Sequence, residues 1–316
     1  MPDTRVVFAT DVHGSEKTFV KFVNSAAFYK ANVIILGGDI TGKIIIPLVE
    51  QPDGNVRTTF LGSNVLTDKN GLKSLEKKIE DTGFYPYRTT IEEKKELDND
   101  PEKVTKLFSE LMVQRVKKWV QFAESRLRDT DVKCFMSPGN DDSLIIDNAF
   151  GDSERVICPE GKVVMIDDHH EMISCGYSNP TPFNCPRDIS EEELHNKIEI
   201  MASQVKNIKN CIFNLHCPPY NTTIDTAPEL DANLKPVIRD GQPSYIPVGS
   251  KAVKQAIEKY QPLLGLHGHI HESKGFFKIG NTPCLNPGSE YSEGVLRSVL
   301  VVLDKNKIKS YLFLSG

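Results

Sequence analysis

Residues 5–14 read Arg5-Val6-Val7-Phe8-Ala9-Thr10-Asp11-Val12-His13-Gly14. The first six residues are mostly apolar or β-branched, a pattern typical of a buried strand, and the polar turn after them ends it. A helical pattern follows over residues 15–30, where Ser15 is the predicted N-cap, and a second apolar run occupies residues 33–36. Strand, helix and strand in this order predict a βαβ unit and therefore a mainly parallel sheet.

The same alternation returns after residue 130. Short apolar runs predict further strands at residues 132–136, 163–166, 172–176, 211–213 and 263–266, with a closing hairpin at 298–303 and 308–314. Helices are predicted at residues 190–205, which open on a capping box, and at 250–259. The pattern as a whole predicts an α/β protein.

Residues 42–130 interrupt this alternation. A hairpin is predicted at residues 44–49 and 56–61, followed by a helix at 72–82 and a long amphipathic helix at 101–128. Because strand residues resume directly afterwards, we interpret 42–130 as an insertion, and as a candidate cap, within a single domain of residues 1–316.

The composition excludes several classes of protein. The chain has 316 residues, with 38 Lys and Arg against 43 Asp and Glu, so its net charge is −5. No apolar run approaches the roughly 18 residues of a membrane span, and the first residues lack the pattern of a secretory signal. The acidic total disfavours a protein that holds nucleic acid through its phosphates, although a local basic patch would escape this argument.

Cysteine usage points to a reducing compartment. Seven cysteines are scattered along the chain without a Cys-x-x-Cys pair, so a zinc ribbon is unsupported. We expect all seven to be reduced in a cytoplasmic protein. The amphipathic stretch at 104–127 is expected to pack on the core or on a second copy in a homo-oligomer. It is not expected to anchor in a membrane, because its polar face carries acids as well as bases.

Seven polar side chains follow the predicted strands: Asp11, His13, Asp39, Asn140, His216, His269 and His271. Loops beyond the carboxyl ends of strands converge on one rim of an open sheet, so we expect these side chains to meet. Carboxylate, amide and imidazole donors without a thiolate suit Mn²⁺, Fe, Zn²⁺ or Ni²⁺, and we expect Mn²⁺ first. Seven ligands exceed one tetrahedral site but suit two divalent metal ions roughly 3.5–4 Å apart.

The order D-x-H, G-D, G-N, H and G-H-x-H, from Asp11 to His271, resembles the calcineurin-like metallophosphoesterase family. Each motif alone is weak, but the five in order, each behind a predicted strand, are specific. The resemblance implies a mixed β-sheet sandwich flanked by helices, a four-layer α/β/β/α arrangement. This adds a second sheet to the arrangement predicted from the pattern and accounts for the closing hairpin.

The resemblance also implies a role for each ligand. Asp11, His13 and His271 would hold one ion. Asn140, His216 and His269 would hold the other, and Asp39 would bridge the two. A hydroxide between the ions would attack the phosphorus of a small-molecule phosphate ester in line, with Asn140 and His216 at the reacting centre.

One position departs from the family. The usual third motif is G-N-H followed by an acid, and its His helps to protonate the leaving oxygen. Here the motif reads Gly139-Asn140-Asp141-Asp142, so Asp141 takes the catalytic His position. An exposed Asp is a poor acid at neutral pH, so we lean towards a phosphodiesterase, with a phosphomonoesterase of small molecules as the alternative.

Other readings of these residues stay open. A non-catalytic scaffold that binds a protein partner is the alternative from another class, and a nuclease would need a basic channel. Asp142 is predicted to be a solvated helix start, and Arg187 a residue that could reach a phosphate. His169, His170 and His195 fall outside every motif and are predicted at the surface.

Overall fold

The computed structural model describes residues 3–151 and 153–316. Its α-helices are α1 (Glu16–Phe28), α2 (Lys69–Asp81), α3 (Ile91–Asn99), α4 (Pro101–Leu127), α5 (Glu191–Ala202) and α6 (Lys251–Tyr260). The strands up to residue 175 are β1 (Thr4–Ala9), β2 (Val33–Leu36), β3 (Ile45–Glu50), β4 (Val56–Phe60), β5 (Ser63–Thr67), β6 (Tyr85–Thr89), β7 (Lys133–Met136), β8 (Val156–Ile157), β9 (Val163–Met165) and β10 (Glu171–Cys175). The later strands are β11 (Ile212–Leu215), β12 (Thr226–Pro228), β13 (Ile238–Arg239), β14 (Gln242–Pro243), β15 (Tyr245–Pro247), β16 (Leu264–Leu266), β17 (Gly275–Ile279), β18 (Thr282–Asn286), β19 (Arg297–Asp304) and β20 (Lys307–Ser315).

Two six-stranded mixed sheets form the centre of the molecule. The first has the order β20-β19-β1-β2-β7-β8, and the second has the order β17-β18-β16-β11-β10-β9. In the first sheet β1, β2 and β7 run parallel, with Val6 opposite Val33, while the hairpin β19–β20 joins antiparallel. In the second sheet β10, β11, β16 and β18 run parallel. The predicted βαβ unit and closing hairpin are therefore confirmed.

The two sheets face each other across a dry layer. Alternate strand residues from both sheets meet there, including Phe8, Ile35 and Phe135 from the first and Ile212 and Leu266 from the second. Each of these side chains is fully or almost fully buried. Strands buried on both faces need continuous apolar runs, which is the pattern that residues 5–9 and 33–36 show.

Helices cover the outer faces of both sheets. On the first sheet, α1 and α4 pack together, and the rings of Phe19 and Trp119 stack with centroids 4.0 Å apart. On the second sheet, α5 and α6 cover an apolar layer that includes Ile173 and Phe213. Helix, sheet, sheet and helix form the four-layer α/β/β/α sandwich that the resemblance implied.

The segment 42–130 contributes a second, smaller unit and one helix of the main core. Strands β5-β4-β3-β6 form a four-stranded sheet that packs with α2 around its own apolar cluster, while α4 belongs to the main core. The Tyr85 hydroxyl accepts a hydrogen bond from Gly42 N (2.9 Å), and Arg115 Nη1 donates to Gly14 O (2.7 Å). The first bond ties the small sheet to the loop after Asp39, and the second ties α4 to the loop that carries His13. Its role as a cap stays a prediction.

Two side chains do not lie where they were predicted: His170 was predicted at the surface, and Arg187 was predicted to be able to reach a phosphate. His170 is 1% exposed, and its Nδ1 lies 2.7 Å from Asp167 Oδ2, so its prediction as a surface residue was wrong. Arg187 is also buried, because its guanidinium bonds Asp147 and the carbonyl oxygen of Asp142 (2.9 Å). It therefore holds the chain after the third motif rather than reaching into open space.

All seven cysteines are free thiols, as predicted. Within residues 3–151 and 153–316, none of the helices combines the length and the apolar character that crossing a bilayer requires.

Candidate metal centre

The polar residues predicted as ligands lie at one rim of the sandwich. Asp11 and His13 follow β1, Asp39 follows β2, Asn140 follows β7, His216 follows β11, and His269 and His271 follow β16. The parallel strands of both sheets point their carboxyl ends towards this rim. A backbone bond joins two of these loops within the second sheet, since Gly268 N donates to the carbonyl oxygen of His216 (2.9 Å).

Asp11, His13 and His271 form the first group of donors. One ligand atom from each lies within 4.8 Å of the others. Their closest distances are 3.1 Å between the Nε2 atoms of His13 and His271, and 3.3 Å between His271 Nε2 and Asp11 Oδ1. His13 and Asp11 are each 1% exposed, so this group is buried except on the side of His271.

Asp39, His216 and His269 form the second group, under the same distance limit. The Asp39 carboxylate lies between the two groups, with Oδ2 3.4 Å from His216 Nε2 and 3.6 Å from His13 Nε2. Two buried donor atoms at this rim, Asn140 Oδ1 and His216 Nε2, have no hydrogen-bond partner. A buried polar atom without a partner costs free energy, so both atoms suit a bound cation.

The backbone at this rim is strained. Four of the predicted ligands have a positive φ: 54° at Asp11, 37° at His13, 48° at Asp39 and 67° at His269. Each such residue costs on the order of 1–3 kcal/mol unless its surroundings enforce it. Here they do, because Asp11 N donates to Gly38 O and His13 N to Asp39 O, both at 2.9 Å. Strain of this kind concentrates at functional sites.

Two motif glycines make room for neighbouring ligands. A Cβ atom on Gly38 would lie 2.2 Å from His216 Nδ1, and one on Gly139 would lie 2.1 Å from Asp39 Oδ1. Real Cβ atoms do not approach so closely. The glycines that precede Asp39 and Asn140 in the sequence are therefore needed for the close approach of side chains from other strands.

Asp142 is a buried anchor, so its prediction as a solvated residue was wrong. Its side chain is completely buried. Its carboxylate accepts hydrogen bonds from Ile40 N (2.9 Å), Thr41 N (2.8 Å), Thr41 Oγ1 (2.5 Å) and Gly139 N (2.8 Å). These bonds tie the loop that carries Asp39 to the loop that carries Asn140.

Asp188 orients Asn140. Asn140 Nδ2 donates to Asp188 Oδ1 (2.9 Å), which leaves Asn140 Oδ1 directed into the site. The second oxygen, Asp188 Oδ2, accepts from Thr181 N (3.0 Å), Thr181 Oγ1 (2.5 Å) and Cys185 N (3.0 Å). One carboxylate therefore holds both the amide of Asn140 and the turn at residues 181–185. Sequence reasoning missed it, because 48 residues separate it from Asn140.

The charges of the site suit a bound cation. Burial would raise the pKa of Asp39, but His216, His13 and His269 outweigh it and hold the pKa well below its usual value. Burial would lower the pKa of His216, but Asp39 and Asp11 outweigh it and raise the pKa to about 9. Burial dominates at His13 and His269, whose pKa values fall to about 3 and about 4. Ionised carboxylates and neutral imidazoles are the forms that bind metal ions, so His216 must release its proton when a cation binds.

Comparison with solved structures addresses the fold. One crystal structure aligns over 97% of this chain and 98% of its own length, at 18% identity and a TM-score of 0.59. TT1561 of Thermus thermophilus aligns over 99% of this chain and 98% of its own length, at 13% identity and a TM-score of 0.53. The motif order, the strand-end rim and the paired sheets agree with this likeness. The chain has the calcineurin-like metallophosphoesterase fold.

A curated relative matches part of the chain. The uncharacterized protein MJ1162 of Methanocaldococcus jannaschii is 38% identical over 135 residues, which are 42% of this chain. The match spans 55% of the relative, about half its length. The search against family models found no match.

Lys43 contacts the residue at which the third motif departs from the usual metallophosphoesterase pattern. Sequence reasoning missed Lys43. Lys43 Nζ forms an ion pair with Asp141 Oδ2, the residue at the expected His position. Asp141 N also donates to Asp39 Oδ1 (3.0 Å), and its Oδ2 lies 3.7 Å from His13 Nδ1. Its position in the sequence could have identified it as a site residue, since Lys43 lies four residues after Asp39 on the same loop. The third motif therefore presents an ion-paired carboxylate where the family has an imidazole.

The donor set fits divalent metal ions. It contains carboxylate oxygen, amide oxygen and imidazole nitrogen, it holds two unpartnered buried donor atoms, and its carboxylates carry negative charge. Within the described residues His13, Asp39 and Asp141 form a third such group, so Asp39 and His13 are each shared between two groups.

Proposed function

We propose that the protein is a metal-dependent phosphoesterase with two divalent ions, Mn²⁺ first, at this rim. Asp11, His13 and His271 hold one ion and Asn140, His216 and His269 the other, with Asp39 between them. One observation supports this most: Asn140 Oδ1 and His216 Nε2 are buried without a partner beside the Asp39 carboxylate. Asn140 Oδ1 has no hydrogen-bond partner within the described protein, His216 Nε2 has the Asp39 carboxylate 3.4 Å away, and a cation would use both atoms.

The reaction is hydrolysis of a phosphate ester. Two bound cations supply Lewis acidity, which polarises the phosphoryl oxygens and lowers the pKa of an attacking water. An oxygen–phosphorus bond to water forms, the ester phosphorus–oxygen bond breaks, and the departing alcohol takes up a proton. The chain's own part is positional: Asn140 and His216 are fixed by Asp188 and by the Gly37 carbonyl oxygen, and Lys43 places a positive charge beside the ester.

We further propose a preference for diesters or aryl esters. Asp141 is paired with Lys43, so the third motif has no imidazole to protonate a leaving oxygen. Esters whose leaving group needs little protonation are then the better substrates. The positive charge of Lys43 compensates for the missing imidazole, because its ammonium group can face a phosphoryl oxygen.

Asp39→Ala tests the metal assignment. The variant should lose Mn²⁺-dependent hydrolysis of both p-nitrophenyl phosphate and its bis ester, because the carboxylate between the two groups is gone. Asp98→Ala, an exposed carboxylate on α3, is the matched control and should retain full turnover. Retained turnover in Asp39→Ala would refute the two-ion assignment. Mn²⁺ binding by the wild type without turnover of any ester would favour the non-catalytic scaffold.

Asp141→His tests the leaving-group argument. If a missing acid limits alkyl monoesters, the variant should hydrolyse them faster while its rate on the bis ester changes little. A correctly folded variant without this gain would contradict the diester preference and leave the metal assignment standing.

A further inference from the structure

A cavity of about 630 Å³ opens directly over the metal centre. Its floor contains Asp39, Asn140, Asp141, His269 and His271. The volume lies within the range of roughly 300–1,000 Å³ typical of small-molecule sites, and it is more than a phosphate group alone requires. An ester whose phosphorus lies at the floor must place a substituent against the walls.

The walls are apolar. One side is the turn held by Asp188, which presents Pro180, Pro182 and Phe183. The other side is the segment 227–248, which presents Leu230, Leu234, Pro236, Ile246 and Val248 among others. Of the described residues that line these two walls, none is charged, while Lys43 and Glu272 line the cavity outside the walls.

The few polar groups on the walls are already used within the protein. Thr181 Oγ1 donates to Asp188, and Asn179 Nδ2 donates to Val248 O (3.3 Å). Asn179 Oδ1 accepts from Cys217 Sγ (3.0 Å). A sugar or a base edge would find few hydrogen-bond partners on these walls, whereas a hydrocarbon needs none.

Both walls are fixed before any ligand binds. Asp188 Oδ2 holds the first wall through three hydrogen bonds. On the second, the Asp225 carboxylate accepts from Asn221 N (2.8 Å) and Gly249 N (3.1 Å), at either end of the segment. Ser273 Oγ donates to Thr226 O (2.6 Å), which joins this wall to the loop after His271. A preformed apolar cavity binds without first having to order its walls.

We propose that the substrate is a phosphate ester with a hydrophobic arm, alkyl or aryl, that occupies this cavity while its phosphate lies at the floor. The inference rests on the proposed function and adds the substrate class. It accounts for side chains that otherwise stand in water, since Phe183 is 62% and Leu234 48% exposed.

Direct binding of alkylphosphonates provides the first test, because their carbon–phosphorus bond is not hydrolysed. Methyl-, butyl- and octylphosphonate are titrated calorimetrically into the Mn²⁺-loaded protein below their micelle concentrations. Burial of each methylene should tighten binding roughly threefold, within the limit set by about 0.8 kcal/mol per buried group. Hydrolysis of methyl, butyl and octyl p-nitrophenyl diesters, which share one leaving group, should follow the same order in kcat/KM.

Two wall variants and two controls locate the effect. Phe183→Ala and Leu234→Ala should each lower the octyl-to-methyl affinity ratio by about threefold or more, since each removes part of a wall. Phe28→Ala and Leu312→Ala remove exposed apolar side chains far from the cavity, 80% and 61% exposed, and should leave the ratio unchanged.

The outcomes separate the two proposals. Equal affinity for all three phosphonates, with turnover of the diesters, would overturn the hydrophobic arm and leave the phosphoesterase standing. Neither binding nor turnover of any compound would overturn the proposed function itself. A dimer in sedimentation that Leu234→Ala dissociates would assign the apolar walls to a second copy of the chain and would also overturn the inference.

Discussion

The substitution Asp188→Ala distinguishes a role of Asp188 in metal binding from a purely structural role. The substitution removes four hydrogen bonds, one from Asn140 Nδ2 and three from the turn at 181–185. Bonds to a carboxylate are each worth roughly 1.5–3 kcal/mol, but water can reach this partly buried group, so we expect a loss of about 2–4 kcal/mol in unfolding free energy. Asn140, freed to rotate, would no longer hold Oδ1 towards the site.

We expect this substitution to weaken the binding of the metal ion. Removing a group that orients a ligand typically weakens metal affinity by about 10- to 100-fold. Calorimetric titration with Mn²⁺ measures the affinity, and urea unfolding of the metal-free protein measures the stability. We expect both to fall in Asp188→Ala.

Two variants serve as controls. Thr181→Val removes the hydroxyl that donates to Asp188 and accepts from Phe183 N, leaves the bond from Asn140 to Asp188 in place, and should reduce stability without changing Mn²⁺ affinity. Asp68→Ala removes the N-cap of α2, which accepts from Asn70 N and Gly71 N, and should lower stability with no effect on Mn²⁺ affinity. A folded Asp188→Ala protein with wild-type Mn²⁺ affinity would refute the role of Asp188.

Three further results are expected. Lys43→Met should raise KM for phosphate esters about tenfold with little change in kcat, because a charge-assisted bond to the ester is lost, and Lys43→Arg should restore it; an unchanged KM would exclude this contact. Burial raises the pKa of Glu160 from 4.5 to about 7, so the folded state binds the proton more tightly and stability falls as pH rises between these values. Between pH 4.5 and pH 8, the unfolding free energy of the wild type, measured with urea, should fall by at most about 3 kcal/mol more than that of Glu160→Gln. Equal falls in the two proteins would contradict this. Gly139→Ala should weaken Mn²⁺ binding, because its Cβ would meet Asp39 Oδ1 at 2.1 Å, and equal calorimetric affinity would show that the loop relaxes freely.

Local patterns were sufficient to predict most of the fold. Ser15 caps α1 by accepting from Thr18 N, and Ser190 forms its capping box, because these bonds join residues three apart. The runs at 5–9 and 33–36 are buried on both faces, and this is what a continuous apolar strand predicts. The second sheet was predicted only from the resemblance to the metallophosphoesterase family. Hydrophobic periodicity and strand propensity do not specify which sheet a strand joins.

The placement of the seven predicted ligands at one rim could be predicted from the sequence, because each lies in the loop after a strand. Their supports could not. Asp142 holds Ile40 and Thr41 across 102 and 101 residues, and Asp188 holds Asn140 across 48. A lone Asp after a turn reads as solvated until the fold encloses it, and only tertiary structure brings donors from two loops to one carboxylate.

The central claim is that two cations occupy this rim. Crystals grown with Mn²⁺ and measured near its absorption edge test it directly through anomalous scattering. The account predicts two peaks per chain, roughly 3.5–4 Å apart, with the Asp39 carboxylate between them. A single peak, or none at full Mn²⁺ loading, would contradict it.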